Sequence, residues 1–366
     1  MNARDNIRIA NCSGYYGDKL SAAKELIEGG PIDFLTGDYL AELTMGILYS
    51  QKLKRGEDMG YVGTFLKQYR DVAKTCQAKG IKIVVNAGGL NPKSMANELN
   101  KINEELSLEM NVAYIDGDDI VDDLSTLQDQ GEEFIHLDKH VPISSSGCEI
   151  ITANVYLGAW GIVKALDLGA DVVICPRVTD ASLVIGPAAW KFGWKRDDFD
   201  KLSGALAAGH IIECGAQTTG GNYAFFEEVK TFKDIGYPIA EIYEDGSFMI
   251  TKHENTGGLI STGTVTAQLL YEISSPDYAN PDVIGHFDSL LLEDLGNDKV
   301  MVTACKGSPP NNTHKVCVNL AGGYRNGMEL ILTGLDIEEK AEIFVTALFD
   351  LLGGKDQFDE VTIDLH

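Results

Sequence analysis

The sequence has little that would suit a membrane or a nucleic acid as partner. It contains no uninterrupted apolar run of about 18 residues, the length that spans a bilayer. Its N-terminus, MNARDNIRIA, has no apolar stretch typical of a signal peptide. Basic residues are scarce, since 30 Lys and Arg stand against 55 Asp and Glu and give a formal net charge of −25. That charge repels nucleic-acid phosphates and anionic lipid surfaces, so we expect neither as a partner.

The common signatures of bound cofactors are also lacking. The sequence has no GxGxxG, no GxxxxGKS or GxxxxGKT, and no cluster of Cys and His. We therefore expect neither a tightly bound nucleotide nor a transition metal. Its seven cysteines are an odd number without regular spacing, which favours a reducing compartment over a disulfide-linked secreted fold. Together with the missing signal peptide, this predicts a cytoplasmic protein.

What remains is the composition and patterning of a globular α/β protein. With 366 residues, 44% of them hydrophobic, the chain is long enough for a sizeable core and for two domains. The predicted strands of the first half are Asn6–Asn11, Ile32–Leu35, Ile81–Val85, Val112–Ile115 and Val172–Cys175. The predicted helices are Lys19–Glu28, Ala41–Lys54, Gly63–Ala78, Pro92–Glu109 and Ala153–Leu168. This alternation predicts a mainly parallel sheet with helices on both faces.

The pattern changes after about residue 232. Asp245 and Gly246 lie between two apolar runs and predict a hairpin. Further strand-like runs follow, including Met328–Thr333, and a helical pattern covers Ile337–Leu352. We therefore predict an α/β domain with a polar crevice at 1–232 and a smaller α+β domain at 233–366. The last run, Val361–Leu365, has no partner after it, which predicts either a chain truncated at its C-terminus or an edge strand.

Each predicted strand of the first half is followed by a polar or glycine-rich turn. The residues that mark these turns are Asn11, Asp38, Asn86, Asp116 and Arg177. Ligands of open parallel sheets bind beyond the carboxyl ends of the strands. We therefore predict that these residues lie along one edge of the sheet and line a crevice.

Two of the turns carry groups that can hold an anion. Gly88 and Gly89 expose backbone N–H groups suited to a carboxylate or phosphate, although the same residues also make a tight strand-to-helix turn. Arg177 can clamp an anionic group while Asp180, three residues later, holds it or accepts a proton. The alternative for this second pair is a structural ion pair that caps the next helix.

The stretch Ala207–Asn222, AAGHIIECGAQTTGGN, sets reactive and hydrogen-bonding side chains between glycines. Such a composition predicts one wall of a small-molecule site. His210 and Glu213 are three residues apart, so they share a helix face and are the candidates for acid–base chemistry. Cys214 is a nucleophile if His210 activates it, and a small buried thiol otherwise.

These observations define a candidate site. The predicted catalytic residues are His210, Glu213, Cys214 and Asp180, and no residue is predicted to bind a metal. The predicted substrate-binding residues are Ser13, Gly14, Asp38, Asn86, Gly88, Gly89, Arg177, Gln217, Thr218, Asn222 and Lys252. Lys252 belongs to a second polar loop, which either covers the crevice or is an ordinary solvated connection.

Seven motifs together resemble one known family. In chain order they are NCSGYYGD, GDYLAELTM, NAGGLNP, PRVTDASL, GHIIECGAQTTGGN, GYPIAEIYEDGSFMITK and TGGLISTGTVTAQLLYEI. Their order resembles the acyclic terpene utilisation A (AtuA) family, also described as a domain of unknown function. The resemblance implies a place beside a geranyl-CoA carboxylase in the pathway that degrades citronellol and geraniol through acyl-CoA thioesters. It supplies no catalytic residues.

The favoured hypothesis is an enzyme of acyclic terpenoid or branched acyl-CoA breakdown. It would carry out hydratase or lyase chemistry on a small-molecule carboxylate or acyl-CoA ligand, with no tightly bound cofactor and a CoA thioester only as substrate. Two alternatives stay open: a non-catalytic binding or assembly subunit of that pathway, and a hydrolase that depends on Cys214. The sequence also leaves a homo-oligomer open.

Overall fold

The structure, a computed structural model, describes residues 6–366 and divides into two units, one ending at Ala321 and the other comprising Gly322–His366. The strands of the described residues are β1 (Asn6–Asn11), β2 (Phe34–Gly37), β3 (Lys82–Val85), β4 (Val112–Tyr114), β5 (Ile150–Val155), β6 (Val172–Ile174), β7 (Pro238–Tyr243), β8 (Phe248–Lys252), β9 (Asp277–Ala279), β10 (Ile284–His286), β11 (Leu291–Asp294), β12 (Lys299–Thr303), β13 (Gly307–Ser308) and β14 (Val316–Leu320). The helices are α1 (Ala22–Gly29), α2 (Glu42–Arg55), α3 (Gly63–Lys79), α4 (Pro92–Leu106), α5 (Leu124–Asp129), α6 (Trp160–Asp167), α7 (Ser182–Phe192), α8 (Phe199–Ile212), α9 (Thr262–Leu269) and α10 (Ile337–Leu351).

The main sheet has the strand order β11-β12-β8-β7-β1-β2-β3-β6-β4. From β1 to β4 the neighbouring strands are parallel. Beyond β1 the sheet continues through antiparallel pairings to β7, β8, β12 and β11. Since β7 and β12 are the reversed strands, the sheet is mainly parallel in direction, and the predicted α/β fold is confirmed. Two smaller antiparallel sheets, β13-β10-β9 and β14-β5, accompany it.

Alternating side chains on the parallel strands build two apolar cores. Ile9 and Phe34 point into the core that includes residues of α6, α7 and α8. Ala10 and Leu35, their chain neighbours, point into the core that includes residues of α1, α2, α3 and α4. This alternation is the two-residue period of a strand that is covered on both faces. The helices therefore enclose the sheet from both sides, as predicted.

Strands from both sides of residue 232 belong to the main sheet. β7 pairs with β1, with Ile239 opposite Ala10, and the β7–β8 hairpin turns at the predicted Asp245 and Gly246. The structure divides into compact units between Ala321 and Gly322, and the domain boundary at residue 232 stays a prediction. A change in sequence pattern shows that antiparallel strands begin, but it does not show that they extend the existing sheet through β1.

Three predicted elements differ from the structure. The predicted helix Ala153–Leu168 is wrong in its first part, because β5 ends at Val155 and α6 begins only at Trp160. β5 is a strand because it pairs with β14, a partner far away in the sequence. In the second unit, 328–333 and 361–365 form no strand, since no pairing partner holds them extended. Among the described residues, no helix has the length and apolar character needed to cross a bilayer.

Candidate functional site

The polar residues that follow the parallel strands lie along one edge of the main sheet. They are Asn11 at the end of β1, Asp38 after β2, Asn86 after β3, Arg177 after β6 and Asp116 after β4. Because these strands are parallel, their carboxyl ends reach the same edge, and the predicted shared edge is confirmed. Four of the five are buried there, whereas Asp116 is exposed after the edge strand β4.

Helix α8 brings the His–Glu pair to this edge and is itself buried. Every residue from Leu202 to Ile212 is buried, so the helix lacks the solvent-exposed face of an ordinary surface helix. A Cβ on Gly209 would lie 2.7 Å from the Cα of Ala181, so only glycine allows this close contact. Gly209 therefore serves packing rather than flexibility. The contact brings His210, which follows Gly209, near Asp180, which precedes Ala181.

Asn11 fixes the end of α8 to the sheet. Its side-chain Nδ2 donates to the carbonyl oxygens of Ile212 and Glu213, both at 2.8 Å, and to that of Ser13 at 2.9 Å. Its Oδ1 accepts a hydrogen bond from the Thr36 hydroxyl at 3.2 Å. The last carbonyls of a helix have no hydrogen-bond donor within the helix, and the Asn11 amide provides one for them. The polar atoms of Asn11 are thus used to hold α8 in place.

His210 and Glu213 form a buried pair at the end of α8. Their side chains are 1% and 7% exposed, and His210 Nδ1 lies 3.1 Å from Glu213 Oε1. The outer atoms of the pair, His210 Nε2 and Glu213 Oε2, are also buried. Glu213 Oε2 makes no hydrogen bond within residues 6–366, and His210 Nε2 makes none of good geometry there, although the Leu269 backbone is close enough to His210 to help raise its pKa. A buried polar atom without a partner costs free energy, so such atoms commonly mark a ligand or a catalytic role.

Burial and charge set the protonation of this pair. Burial raises the pKa of Glu213, and although His210 lowers it again, the nearby Asp180 contributes to a final pKa of about 7. Burial lowers the pKa of His210, but the charge of Glu213 and its hydrogen bond raise it above the ordinary value. Near neutral pH the pair therefore exchanges a proton readily, which is the property that acid–base catalysis requires.

Two aromatic rings cover His210, and no sequence pattern predicted them. The centroid of the Tyr278 ring lies 5.0 Å from that of His210, and the Phe287 centroid lies 5.7 Å from it. Tyr278 belongs to β9, a strand of three residues, and Phe287 follows β10. Because β9 and β10 are so short, no local periodicity identifies them, and their contact with α8 arises only from tertiary packing.

Arg177 is held by the protein itself. Its Nη1 donates to Asp180 Oδ1 at 2.6 Å and to the Leu40 carbonyl at 3.2 Å, and its Nη2 donates to the Tyr156 hydroxyl at 3.1 Å. The guanidinium also lies over the Tyr156 ring, 4.3 Å from the centroid. Its Nε is buried and has no hydrogen-bond partner among the residues that the structure describes. Arg177 therefore orients Asp180, which is 28% exposed, and its Nε–H can bind a ligand.

Cys214 lies beside the pair but is poorly suited to act as a nucleophile. Burial raises the pKa of its thiol, and the charges of Glu213, Asp38, Glu272 and Asp180 raise it further. The reactive form of cysteine is the thiolate, which this surrounding of carboxylates disfavours.

Asp38 and Asn86 bind each other at the same edge. Asn86 Nδ2 donates to Asp38 Oδ1, and Asn86 Oδ1 accepts from the backbone N–H of Tyr39 at 2.8 Å. The N–H of Asp38 in turn donates to the Ser13 carbonyl at 3.0 Å. Burial, followed by the charges of Asp180 and Glu213, raises the pKa of Asp38 well above its ordinary value. These contacts join the β1, β2 and β3 turns.

The glycines predicted to bind an anion are used in packing and in turns. The N–H of Gly88 donates to the Cys175 carbonyl at 3.1 Å, and that of Gly89 donates to the Asn86 carbonyl at 3.3 Å. Cβ atoms on them would lie 2.6 Å from Cys175 O and 2.2 Å from Leu48 Cδ1. These contacts are those of the tight strand-to-helix turn that the sequence also allowed.

The β1 turn contacts the opposite wall of the site. A Cβ on Gly14 would lie 2.5 Å from the carbonyl carbon of Cys214, so glycine lets the turn touch the end of α8. The N–H of Gly14 donates to Asp18 Oδ2 at 2.9 Å, and the Ser13 hydroxyl donates to the Tyr15 carbonyl at 3.0 Å. Ser13 and Gly14 thus join β1 to α8.

The remaining predicted binding residues lie in different settings. Gln217 is close to the pair in sequence, and its Oε1 is buried without a partner among the described residues. The Thr218 hydroxyl donates to the Ile211 carbonyl, and Asn222 lies exposed in the following turn. Lys252 ends β8 and pairs with Asp298, with Nζ 3.0 Å from Oδ2.

Within residues 6–366, no set of three or more Cys, His, Asp or Glu side chains is arranged to hold a metal ion.

Comparison with known proteins identifies a family. The family described as acyclic terpene utilisation family protein AtuA matches residues 7–366, essentially the whole chain. No curated protein and no solved structure matches the chain. The match agrees with the resemblance carried by the seven motifs. The chain therefore belongs to the acyclic terpene utilisation family AtuA, whose name connects it with acyclic terpene utilisation.

Proposed function

We propose that this protein is an acid–base enzyme of acyclic terpenoid or branched acyl-CoA breakdown, with hydratase or lyase chemistry. The observation that carries the proposal is the buried His210–Glu213 pair, in which Glu213 Oε2 lacks a hydrogen-bond partner within the described chain and His210 Nε2 has none of good geometry there. A pair with a purely structural role would use these atoms in the fold, because an unpartnered buried group costs about 1–3 kcal/mol. A bound substrate supplies the missing partner.

The geometry suits a proton transfer between carbon and oxygen. In the dehydration direction, ionised Glu213 takes a proton from the carbon next to an acyl carbonyl, and the electron pair of that C–H bond forms a carbon–carbon double bond. The neighbouring C–O bond breaks, and the departing hydroxyl takes a proton from protonated His210 and leaves as water. The pKa of about 7 for Glu213 lets both of its protonation states occur near neutrality. The step consumes no cofactor.

The surroundings support an acyl ligand. Tyr278 and Phe287 provide an apolar wall beside His210, against which a hydrocarbon chain can pack. Asp180, oriented by Arg177, is the partly exposed carboxylate of the site and can hold a hydroxyl group. The buried Gln217 Oε1 accepts a further hydrogen bond from a ligand. A CoA thioester or the free carboxylic acid is the proposed form of the substrate.

The Cys214-dependent hydrolase is less well supported, because burial and four nearby carboxylates raise the pKa of its thiol. The binding or assembly subunit remains the main competitor, and turnover decides between it and an enzyme.

The test measures turnover of terpenoid acyl-CoA thioesters and of the corresponding free acids by the wild type, H210Q and E213Q. We expect each substitution to lower the rate by about 10²- to 10⁴-fold, with a melting temperature close to that of the wild type. H253Q is a matched control, because His253 is also buried but bonds the Leu26 carbonyl through Nε2 at 2.7 Å. H253Q should be less stable than the wild type, but its turnover rate per folded molecule should be unchanged.

Two results would contradict the proposal. No turnover by the wild type on any member of the panel would favour the binding subunit. Wild-type rates in both H210Q and E213Q would exclude the pair as acid and base and would make Asp180 the next candidate.

A further inference from the structure

A second region with ligand-binding chemistry lies between α6 and the C-terminal end of α7. A groove of about 580 Å³ opens there, within the range of about 300–1,000 Å³ that small-molecule sites occupy. The chain has three tryptophans, and all of them, Trp160, Trp190 and Trp194, line this groove. Aromatic rings and cations are concentrated here, since Lys164, Lys195 and Arg196 also belong to the lining.

The local charge is opposite to that of the whole chain. The protein carries a formal net charge of −25, yet the groove is lined by three basic side chains and one acidic side chain, Asp167. Within residues 6–366, Lys164, Lys195 and Arg196 form no direct salt bridge, but the charge of Arg196 acts against the burial that raises the pKa of Asp282, and the charge of Lys195 helps to lower the pKa of Asp198. Because basic side chains outnumber acidic ones in its lining, the groove is less negative than the rest of the surface.

The groove is separate from the candidate active site. Lys82 begins β3, and its Nζ lies 5.9 Å from the centroid of the Trp190 ring. The Trp194 Nε1 donates to the carbonyl of Glu244, in the turn after β7, at 3.0 Å. Both contacts are at the edge where the parallel strands begin, whereas His210 and Glu213 are at the edge where they end. A ligand here would therefore be independent of the proposed acid–base chemistry.

The arrangement of rings and cations indicates the class of ligand. The Arg196 guanidinium lies 4.7 Å from the centroid of the Trp160 ring, which holds its planar fork in place beside the groove. A guanidinium held in this way binds phosphate oxygens in a bidentate manner, and a lysine ammonium adds a point charge. A flat base packs against half-buried tryptophans such as Trp160 and Trp190. The volume suits one nucleotide, and the acidic surface disfavours a nucleic-acid polymer.

We propose that the groove between α6 and α7 reversibly binds a purine nucleoside phosphate. The same chemistry occurs in a free nucleotide and in the nucleotide portion of coenzyme A, so both sources must be tested. Because every tryptophan of the chain lines the groove, intrinsic tryptophan fluorescence reports binding there directly.

The experiment titrates the full chain with ADP, coenzyme A, adenosine and inorganic phosphate while following tryptophan emission. We expect saturable quenching by ADP, by coenzyme A or by both, with adenosine and phosphate at least tenfold weaker, because neither supplies base and charge together. Saturation by ADP identifies a free nucleotide, and saturation by coenzyme A alone identifies its nucleotide portion. Both outcomes support the proposal.

Substitutions locate the site. R196Q should weaken binding at least tenfold, and R196K should weaken it less, because lysine keeps the charge but not the bidentate fork. R55Q removes an equal charge from the exposed end of α2 and should bind normally. Unchanged melting temperatures would show that R196Q is folded. The proposal is wrong if neither ADP nor coenzyme A quenches the emission, if phosphate alone gives the full response, or if R196Q binds as tightly as R55Q.

Discussion

Two groups of buried polar side chains lie at the same edge of the main sheet, and they differ in how their hydrogen bonds are satisfied. In the bonded cluster, Asn11, Asp38 and Asn86 bind one another's turns and the end of α8. In the open cluster, His210, Glu213 and Gln217 each bury one polar atom that has no hydrogen-bond partner of good geometry within residues 6–366. Both clusters are buried and polar, but only the bonded cluster has hydrogen-bond partners for its polar atoms.

This difference in hydrogen bonding distinguishes residues that hold the fold together from residues that are candidates for function. Hydrogen bonds that close within the protein hold strands and helices together and need nothing else. An unpartnered buried atom costs about 1–3 kcal/mol, and a ligand that binds it recovers part of that cost. The bonded cluster therefore accounts for the fold at this edge of the sheet, and the open cluster is the better candidate for contact with substrate. The following predictions test that distinction, from the largest expected effect to the smallest.

Removing the centre of the bonded cluster should destabilise the fold most. N86A leaves the Tyr39 N–H without its acceptor and Asp38 without its amide donor in a buried setting. We expect the free energy of unfolding to fall by about 3 kcal/mol, measured by urea denaturation. N222A, at an exposed asparagine, is the control and should change stability by less than about 0.5 kcal/mol. Equal stability of the two variants would show that Asn86 does not hold the turns together.

The open cluster should make stability depend on pH. Below pH 4.5 Glu213 is protonated in both states, and as the pH rises towards 7 the unfolded state ionises first, so stability falls. His210, whose folded pKa is raised above 6.5, stabilises the fold below pH 6.5, and this contribution is lost as the pH rises through the folded pKa. Both effects have the same sign. We expect the wild type to lose on the order of 2 kcal/mol more than E213Q between pH 5 and 8.

This comparison requires urea denaturation of both proteins at several pH values in one buffer series. If E213Q and the wild type lose the same stability over that range, Glu213 does not have a raised pKa in the folded state.

Substitution of Cys214 should have the smallest effect, measured on the turnover rate. Its thiol is surrounded by carboxylates that disfavour the thiolate, so C214S should keep its rate within about twofold of the wild type. Turnover of the same acyl substrates measures this, and labelling by iodoacetamide at neutral pH should be slow at this position. A loss of rate comparable to that expected for H210Q would restore the cysteine-dependent hydrolase.

Sequence patterns identified the polar edge of the sheet, but they did not identify the contacts that α8, β9 and β10 make there. The parallel strands are short apolar runs followed by polar turns, and this local pattern was enough to align Asn11, Asp38, Asn86 and Arg177. It could not show which of them is satisfied within the protein. Arg177 was expected to clamp an anion, but it mainly holds Asp180, Leu40 and Tyr156.

The parts that were missed depend on contacts distant in sequence. β5 is a strand because β14 pairs with it, and Tyr278 reaches His210 because β9 and β10 pack near α8. α8 is buried on every face, so it shows no amphipathic period. Its Gly209 marks a close approach to Ala181 that no local pattern shows.

The most direct test of the central claim measures unfolding free energy and turnover on the same preparations of N86A and E213Q. The account predicts opposite results: N86A loses about 3 kcal/mol of stability but each folded molecule keeps its rate, whereas E213Q melts near the wild type and loses about 10²- to 10⁴-fold in rate. If E213Q instead loses stability as N86A does and each folded molecule turns over substrate normally, the open cluster is structural and the account is wrong.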